Sequence, residues 1–416
     1  MTPARSGTVV HRVVPAHLAC HIGARARAGE GNAWPAVVSI ALGSFALVFS
    51  EVIPVGLLGD ISGHLRVSVG TGGLMVVVPA VAAAVAAPLL TLCSARLERR
   101  RVLVGLSALV LVSDVIAGIA PGIGVMLAAR AVLGIGVGGF WVFGAGAAIS
   151  LVSERARGTA VAVVSSGIFI ATVASLPAAS LIGTLTTWRA AFAVATVFAV
   201  IAVAAQLAAV PRLGPGGRVR PRSLLTVLTL PVPRIGLVAA GAIFFANFAA
   251  YTYIGPLLHT RAGLGASAIT LVLLGFGLAG AVGNFTAGAT VRRYLRATLM
   301  GSGLLIAATA QSWMARAMPA NVEGGLALFV SALQGSLAAG SAVGGAIYDA
   351  NGPGAALGLA ATVAAAGSLA LLDRAGTAIS APCAGSADQA RARRREALAP
   401  PPGTTDGAGK NAQRTR

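Results

Sequence analysis

Residues 126–152 read MLAARAVLGIGVGGFWVFGAGAAISLV, and the reading of the whole chain starts from them. The stretch is apolar and longer than the roughly 20 residues a helix needs to cross a bilayer. Arg130 lies inside it. A charge at that depth is costly and persists only facing protein or a water-filled cavity. Gly134, Gly136, Gly138 and Gly139 follow, and Gly134/Gly138 is a GxxxG pair that lets a second helix approach closely. One helix therefore combines a buried charge with a smooth packing face. Two readings stay open at this point. The helix lines a polar path through a membrane, or Arg130 belongs to a structural ion pair between packed helices.

Composition extends this reading to the whole chain. Of 416 residues, 56% are hydrophobic and only 10% charged, against about 25% charged in a soluble globular protein. The mean hydropathy is +0.84. The chain is thus a polytopic membrane protein. Its net charge of +19 invites a nucleic-acid reading, but the positives fall in short gaps between apolar spans and in the two tails. That is the pattern of the positive-inside rule, so no nucleic-acid partner is expected. Lys410 is the sole lysine. Cys20, Cys93 and Cys383 are far apart and form neither a disulfide framework nor a metal motif.

Apolar runs place spans at 34–58, 70–92, 102–120, 124–148, 159–183 and 190–210. A linker rich in Pro, Gly and Arg comes next, at 211–233. The second part gives 234–257, 268–290, a weak segment at 297–315, then 324–347 and 354–372. Residues 1–33 contain arginines but no continuous apolar core, so they read as a disordered or misassigned extension rather than a secretory signal. The tail 375–416 is polar, basic and expected to be disordered. With the N-terminus inside, the loops on the cytoplasmic side hold fifteen arginines, among them Arg96, Arg99 and Arg100. The outer loops hold three, Arg66, Arg189 and Arg261. This asymmetry sets the orientation.

Six spans, a basic linker and further spans suggest two repeated halves, 34–210 and 234–374. Pro177 to Gly183 at the end of the fifth span and Gly335, Gly340, Gly344 and Gly345 in 324–347 are equally dense in small residues. Two such halves around a central site are a common transporter plan.

Glu51 and Asp114 are the two acids within spans. Counted from the span ends at ~1.5 Å per residue, both lie roughly 10–12 Å below the outer surface, as does Arg130. The expectation is a cluster in which Glu51 and Asp114 share the Arg130 charge and protonation of one acid loosens the pair. The alternative is a static ion pair that only fixes packing. Trp141, Asn247, Tyr251, Asn284 and Gln334 are the candidates for a substrate cavity, since amides and aromatics suit a neutral or amphipathic ligand. Asn247 and Tyr251 are four apart, hence on one helix face. Each could instead make an interhelical hydrogen bond or face lipid. No Walker motif, HExxH or nucleophile–His–acid set can be assembled, so neither an enzyme nor a metal site is expected.

The order Ser50-Glu51-Val52-Ile53-Pro54-Val55-Gly56-Leu57-Leu58 resembles the (T/S)EFxPxGLL signature of the bacterial drug/proton antiporter group of the major facilitator superfamily. Arg130 to Gly136 resembles that family's RxxxGxG motif, and Trp188-Arg189 followed by Ala190-Ala191-Phe192 its WRxxF. The resemblance spans about residues 34–372. It implies an all-α major facilitator fold of two pseudo-repeated helical halves. It also implies a secondary transporter of the bacterial inner membrane, N-terminus inside, monomeric, exporting a small organic solute or drug against protons without a bound cofactor. The helix-packing motif would be Gly134, Gly136, Gly138, Pro177 and Gly183, and the cytoplasmic loop motif Arg96, Arg99 and Arg100.

Three departures stand out. Ala95 replaces the acid expected in the cytoplasmic loop, and Ser175, Ala178 and Ala179 flank Pro177 in place of glycines. Residues 297–312 stand where the family has two spans and a turn, so about one helix is missing from the second half. Residues 297–315 either cross once, inverting both later spans, or do not cross, which keeps the hairpin 324–372 in its usual orientation. The second option is preferred. The shortened half favours, as a rival reading, a non-transporting relative with a structural or sensing role. The altered fifth-span signature favours a uniporter or importer.

Overall fold

The computed structural model describes residues 33–93, 97–213, 231–265, 268–275, 278, 322–352 and 354–364. The first half is α1 (Trp34–Gly56), α2 (Leu58–Leu65), α3 (Val69–Cys93), α4 (Arg99–Gly118), α5 (Ile123–Ser150), α6 (Arg157–Leu185) and α7 (Trp188–Ala209). The second half contributes α8 (Pro231–Tyr251), α9 (Ile254–Ala262), a helical stretch at 268–275, α10 (Val322–Asn351) and α11 (Gly354–Ala364). Eight helices among the described residues are long and apolar enough to cross a membrane. The weak segment 297–315, the tail and most of the linker lie outside the described residues.

Helix ends follow from local chemistry. α1 opens with Pro35 in its first turn, where a missing N–H costs nothing. The 34–58 span is not one helix: it stops at Gly56, just past Pro54, and restarts at Leu58. The 234–257 span breaks likewise at Thr252–Tyr253, ahead of Pro256. Arg66 closes α2 in the left-handed region at φ 56°.

Up-and-down connection gathers Arg99, Arg100, Arg101, Arg155, Arg157 and Arg212 at one end of the bundle, the basic end. Ser68, Thr187 and the α4–α5 turn mark the other. Val81, Val85 and Leu89 form an exposed row at a spacing of four along α3, and Val197, Val200 and Ile201 are exposed together on α7. Large apolar side chains facing outward are the natural surface of a helix in lipid.

Close packing depends on bare backbone. A Cβ at Gly134 or Gly138 would collide with the carbonyl of Pro79 or Ala83 on α3, so that face of α5 lies directly on α3. Gly136 faces α4 at Leu106. In the second half, Gly340 and Gly344 of α10 lie on the carbonyls of Phe245 and Ala249 of α8. Gly183 abuts Leu57, and Pro177 is inside α6.

α3 also packs along α10, which joins the halves. Asp349 meets Ser68 and Gly70, while Ser331 meets Ala84. α10 is therefore antiparallel to α3 and begins at the basic end. This is the polarity that the non-crossing option requires of 324–347.

A candidate site where the two halves meet

Arg130 is completely buried on α5. Its Nε donates to the Met75 carbonyl at 3.0 Å, Nη1 to the Ser50 carbonyl at 2.7 Å, and Nη2 to the Glu51 carbonyl at 2.9 Å. The first two acceptors are explained by sequence. In an α-helix the carbonyl of residue i is met by the N–H of residue i+4. Pro54 stands four after Ser50 and Pro79 four after Met75, and neither has an N–H to give. In a bilayer no water replaces it. Arg130 supplies both missing donors from a third helix, so α1, α3 and α5 are tied at their proline positions.

At contact distance the charge cluster expected from the sequence takes another form, although the Arg130 charge acts on both carboxylates. The three charged residues do come together, but Arg130 makes its hydrogen bonds to backbone carbonyls and not to either carboxylate. The physical reason is that a guanidinium fork can satisfy several acceptors at once, and two proline-freed carbonyls were already there.

Asp114 is fully buried on α4, and its Oδ2 lies 2.6 Å from the Ser50 hydroxyl. Its Oδ1 has no hydrogen-bond partner among the described residues. The same hydroxyl is 2.8 Å from the Ala46 carbonyl. A serine has one hydroxyl hydrogen. Both contacts are hydrogen bonds together only when Asp114 carries a proton and donates it to Ser50 Oγ. Without that proton, Ser50 turns to the carboxylate and leaves Ala46. The pair can thus report a proton to the backbone of α1.

Glu51, half-buried on α1, accepts from Nε2 of Gln334 on α10 at 3.2 Å. Two residues offered separately by the sequence, an acid and a cavity amide, are therefore one contact between the halves. Tyr251 is buried in a cluster with Val55, Val76, Leu176 and Leu337, again drawn from both halves. Asn247, one turn earlier, is half-buried. Trp141 rests against the core of the first half. Asn284 and Arg96 lie outside the described residues.

Of the remaining loop motif, Arg99 stacks 4.8 Å from the Phe143 ring, and Arg100 donates to the Leu207 carbonyl at 2.5 Å. At the opposite end Arg189 lies 4.2 Å from the Trp188 ring and donates to the Ala120 carbonyl.

Sequence reasoning missed Ser331, and it gave Ser50 no part beyond its place in a motif. Ser331 of α10 donates to the Ala84 carbonyl at 2.7 Å, and Pro88 stands four residues after Ala84. A residue four before an intrahelical proline marks a carbonyl in want of a donor. That signal would have flagged Ser50, Met75 and Ala84, though not which side chain answers each.

Known proteins resemble this chain. Residues 40–371 match the Major Facilitator Superfamily. The chain belongs to that superfamily. It is 31% identical over 358 residues to the Pseudomonas aeruginosa protein named transcription regulatory protein OpdE, covering 78% of this chain and 89% of that one. It is 31% identical over 277 residues to the Escherichia coli K12 purine ribonucleoside efflux pump NepI, covering 67% and 70%. The crystal structure of the human organic anion transporter MFSD10 superposes with a TM-score of 0.57 at 19% identity, covering 81% of this chain and 98% of that chain. That likeness shows the fold. The chain is a multi-pass membrane protein with the transporter fold of its family.

Proposed function

We propose that this protein exports a small organic solute across the bacterial cytoplasmic membrane in exchange for protons, with the basic end inside. The observation that carries the reading is the Glu51–Gln334 hydrogen bond between the halves, made by an acid whose own carbonyl is held by Arg130. As a carboxylate, Glu51 accepts from the Gln334 amide. Once protonated it loses the charge that strengthens that bond, and the halves are freer to part. Asp114 passes the same event to α1 through Ser50. Rocking of two halves about a central site then alternates access.

The likeness to a purine ribonucleoside efflux pump makes that class the first substrate to try. The half-buried Asn247 and Trp141 supply amide and aromatic surface suited to a flat, polar-edged ligand. The test is uptake of a radiolabelled purine ribonucleoside by inside-out vesicles under an imposed pH gradient. Accumulation that a protonophore abolishes is expected. Energised vesicles that accumulate neither nucleosides nor a panel of drugs would overturn the reading.

One observation favours a second reading. The relative that matches over the greater length bears a regulatory name. A deletion strain with altered transcript levels and unaltered solute accumulation would select that alternative.

A further inference from the structure

Asp349 is in the last turn of α10, which ends at Asn351. A carboxylate there faces the negative end of its own helix dipole, a locally unfavourable position. Its compensation comes from the other half. Oδ1 accepts the Gly70 N–H at 2.9 Å, and Oδ2 accepts the Ser68 hydroxyl at 2.7 Å. Ser68 precedes α3 and accepts the Thr71 N–H at 3.1 Å, which is the bond of an N-capping residue. Gly70 N–H is another of the orphan donors that every helix start leaves open. Asp349 is thus a second cap for α3, borrowed from the opposite half.

The backbone is shaped for this contact. A Cβ on Gly70 would collide with the Asp349 carboxylate and the Gly345 carbonyl. Just below, Tyr253 fits between Gly73 and Gly345, where a Cβ on either glycine would strike its hydroxyl, and it donates to the Ser341 carbonyl at 2.8 Å. Ser180 of α6 and Thr270 meet at 3.0 Å. Several contacts between the halves therefore lie at the end opposite the arginines. Among those described, the Asp349 cap is the one made by a carboxylate.

We propose that Asp349 is the latch of that end: its carboxylate, seated on the first turn of α3, holds the halves together on the side away from the basic end, and its release is required for that side to open. Asp349 touches none of Glu51, Asp114 and Arg130, so it positions the halves rather than handling protons or solute. Its part in a transport cycle rests on the transporter reading above; its effect on the distance between the halves does not.

The test is double electron–electron resonance on the full chain in lipid nanodiscs. Cys20, Cys93 and Cys383 are replaced by serine, and spin labels are placed at Gly63 and Ala355, which are exposed near this end, one in each half. Asp349→Ala is expected to raise the ratio of long to short distances about tenfold, as suits loss of a charge-assisted contact. Asp349→Asn keeps an oxygen for the Gly70 N–H and should fall between. Ser68→Asp sets a second carboxylate against the first and should open the end, and adding Asp349→Asn should close it again. A ratio within twofold of the parent's in Asp349→Ala overturns the latch. Export measured on the same protein separates the two ideas. Moved distances without export in the parent leave the latch standing and remove the transporter reading, whereas normal export with unmoved distances removes the latch alone.

Discussion

α1 and α8 open the two halves and end alike. α1 breaks after Pro54 and resumes as α2 at Leu58; α8 breaks at Thr252–Tyr253 and resumes as α9, which holds Pro256. Each then packs along a helix rich in small residues, α1 on α6 and α8 on α10. Gly167 of α6 lies on the Ala41 carbonyl, as Gly340 and Gly344 of α10 lie on those of Phe245 and Ala249. The difference is in what else is buried. The first half encloses Arg130 and Asp114, while the buried side chains described for the second half are uncharged. A proline-broken helix on a glycine-bearing partner is therefore the shared scaffold. Among the described residues the buried charge is in the first half, placed where α1 and α3 each lack a backbone donor.

The strongest way to break that comparison is at Arg130. Arg130→Leu strands two buried carbonyls at about 1–3 kcal/mol each, and loss of most folded protein in thermal unfolding is expected. Adding Pro54→Ala and Pro79→Ala returns the missing N–H groups and should recover most of the loss. A triple variant no more stable than Arg130→Leu would mean that the charge itself, and not the carbonyls, is what the fold needs.

Next come the glycines. Gly138→Val and Gly340→Val each drive a branched side chain into a facing carbonyl, and each should cost about 1–3 kcal/mol as overpacking does. Parallel melting curves compare them directly. If Gly340→Val is harmless while Gly138→Val is not, the two halves do not share the packing rule.

A smaller effect is expected between the halves. Ser331→Ala leaves the Ala84 carbonyl unmet and should lower stability by about 1 kcal/mol, recovered by Pro88→Ala. No recovery would argue that Ser331 acts otherwise.

The least change in stability belongs to Glu51→Gln, which keeps an acceptor for Gln334. Its effect should appear instead as loss of gradient-driven export, with Asp114→Asn impaired less. Normal flux and pH dependence in Glu51→Gln would remove Glu51 from the coupling.

Much of this was legible in one dimension, because a bilayer asks for long apolar runs and leaves the charges to the gaps between them. The spans of the first half, the small-residue faces and the depth shared by Glu51, Asp114 and Arg130 all come from composition and from a constant rise per residue. The family came from short motifs such as Ser50 to Leu58 and Arg130 to Gly136. Partnership did not. A linear sequence shows that Arg130 needs acceptors and that Pro54 and Pro79 leave carbonyls without donors, but three helices must be set side by side before one answers the other. The same holds for Glu51 with Gln334 and Asp349 with Gly70. Hydrogen bonds act within about 3 Å, so only the tertiary structure could decide which distant residues share them.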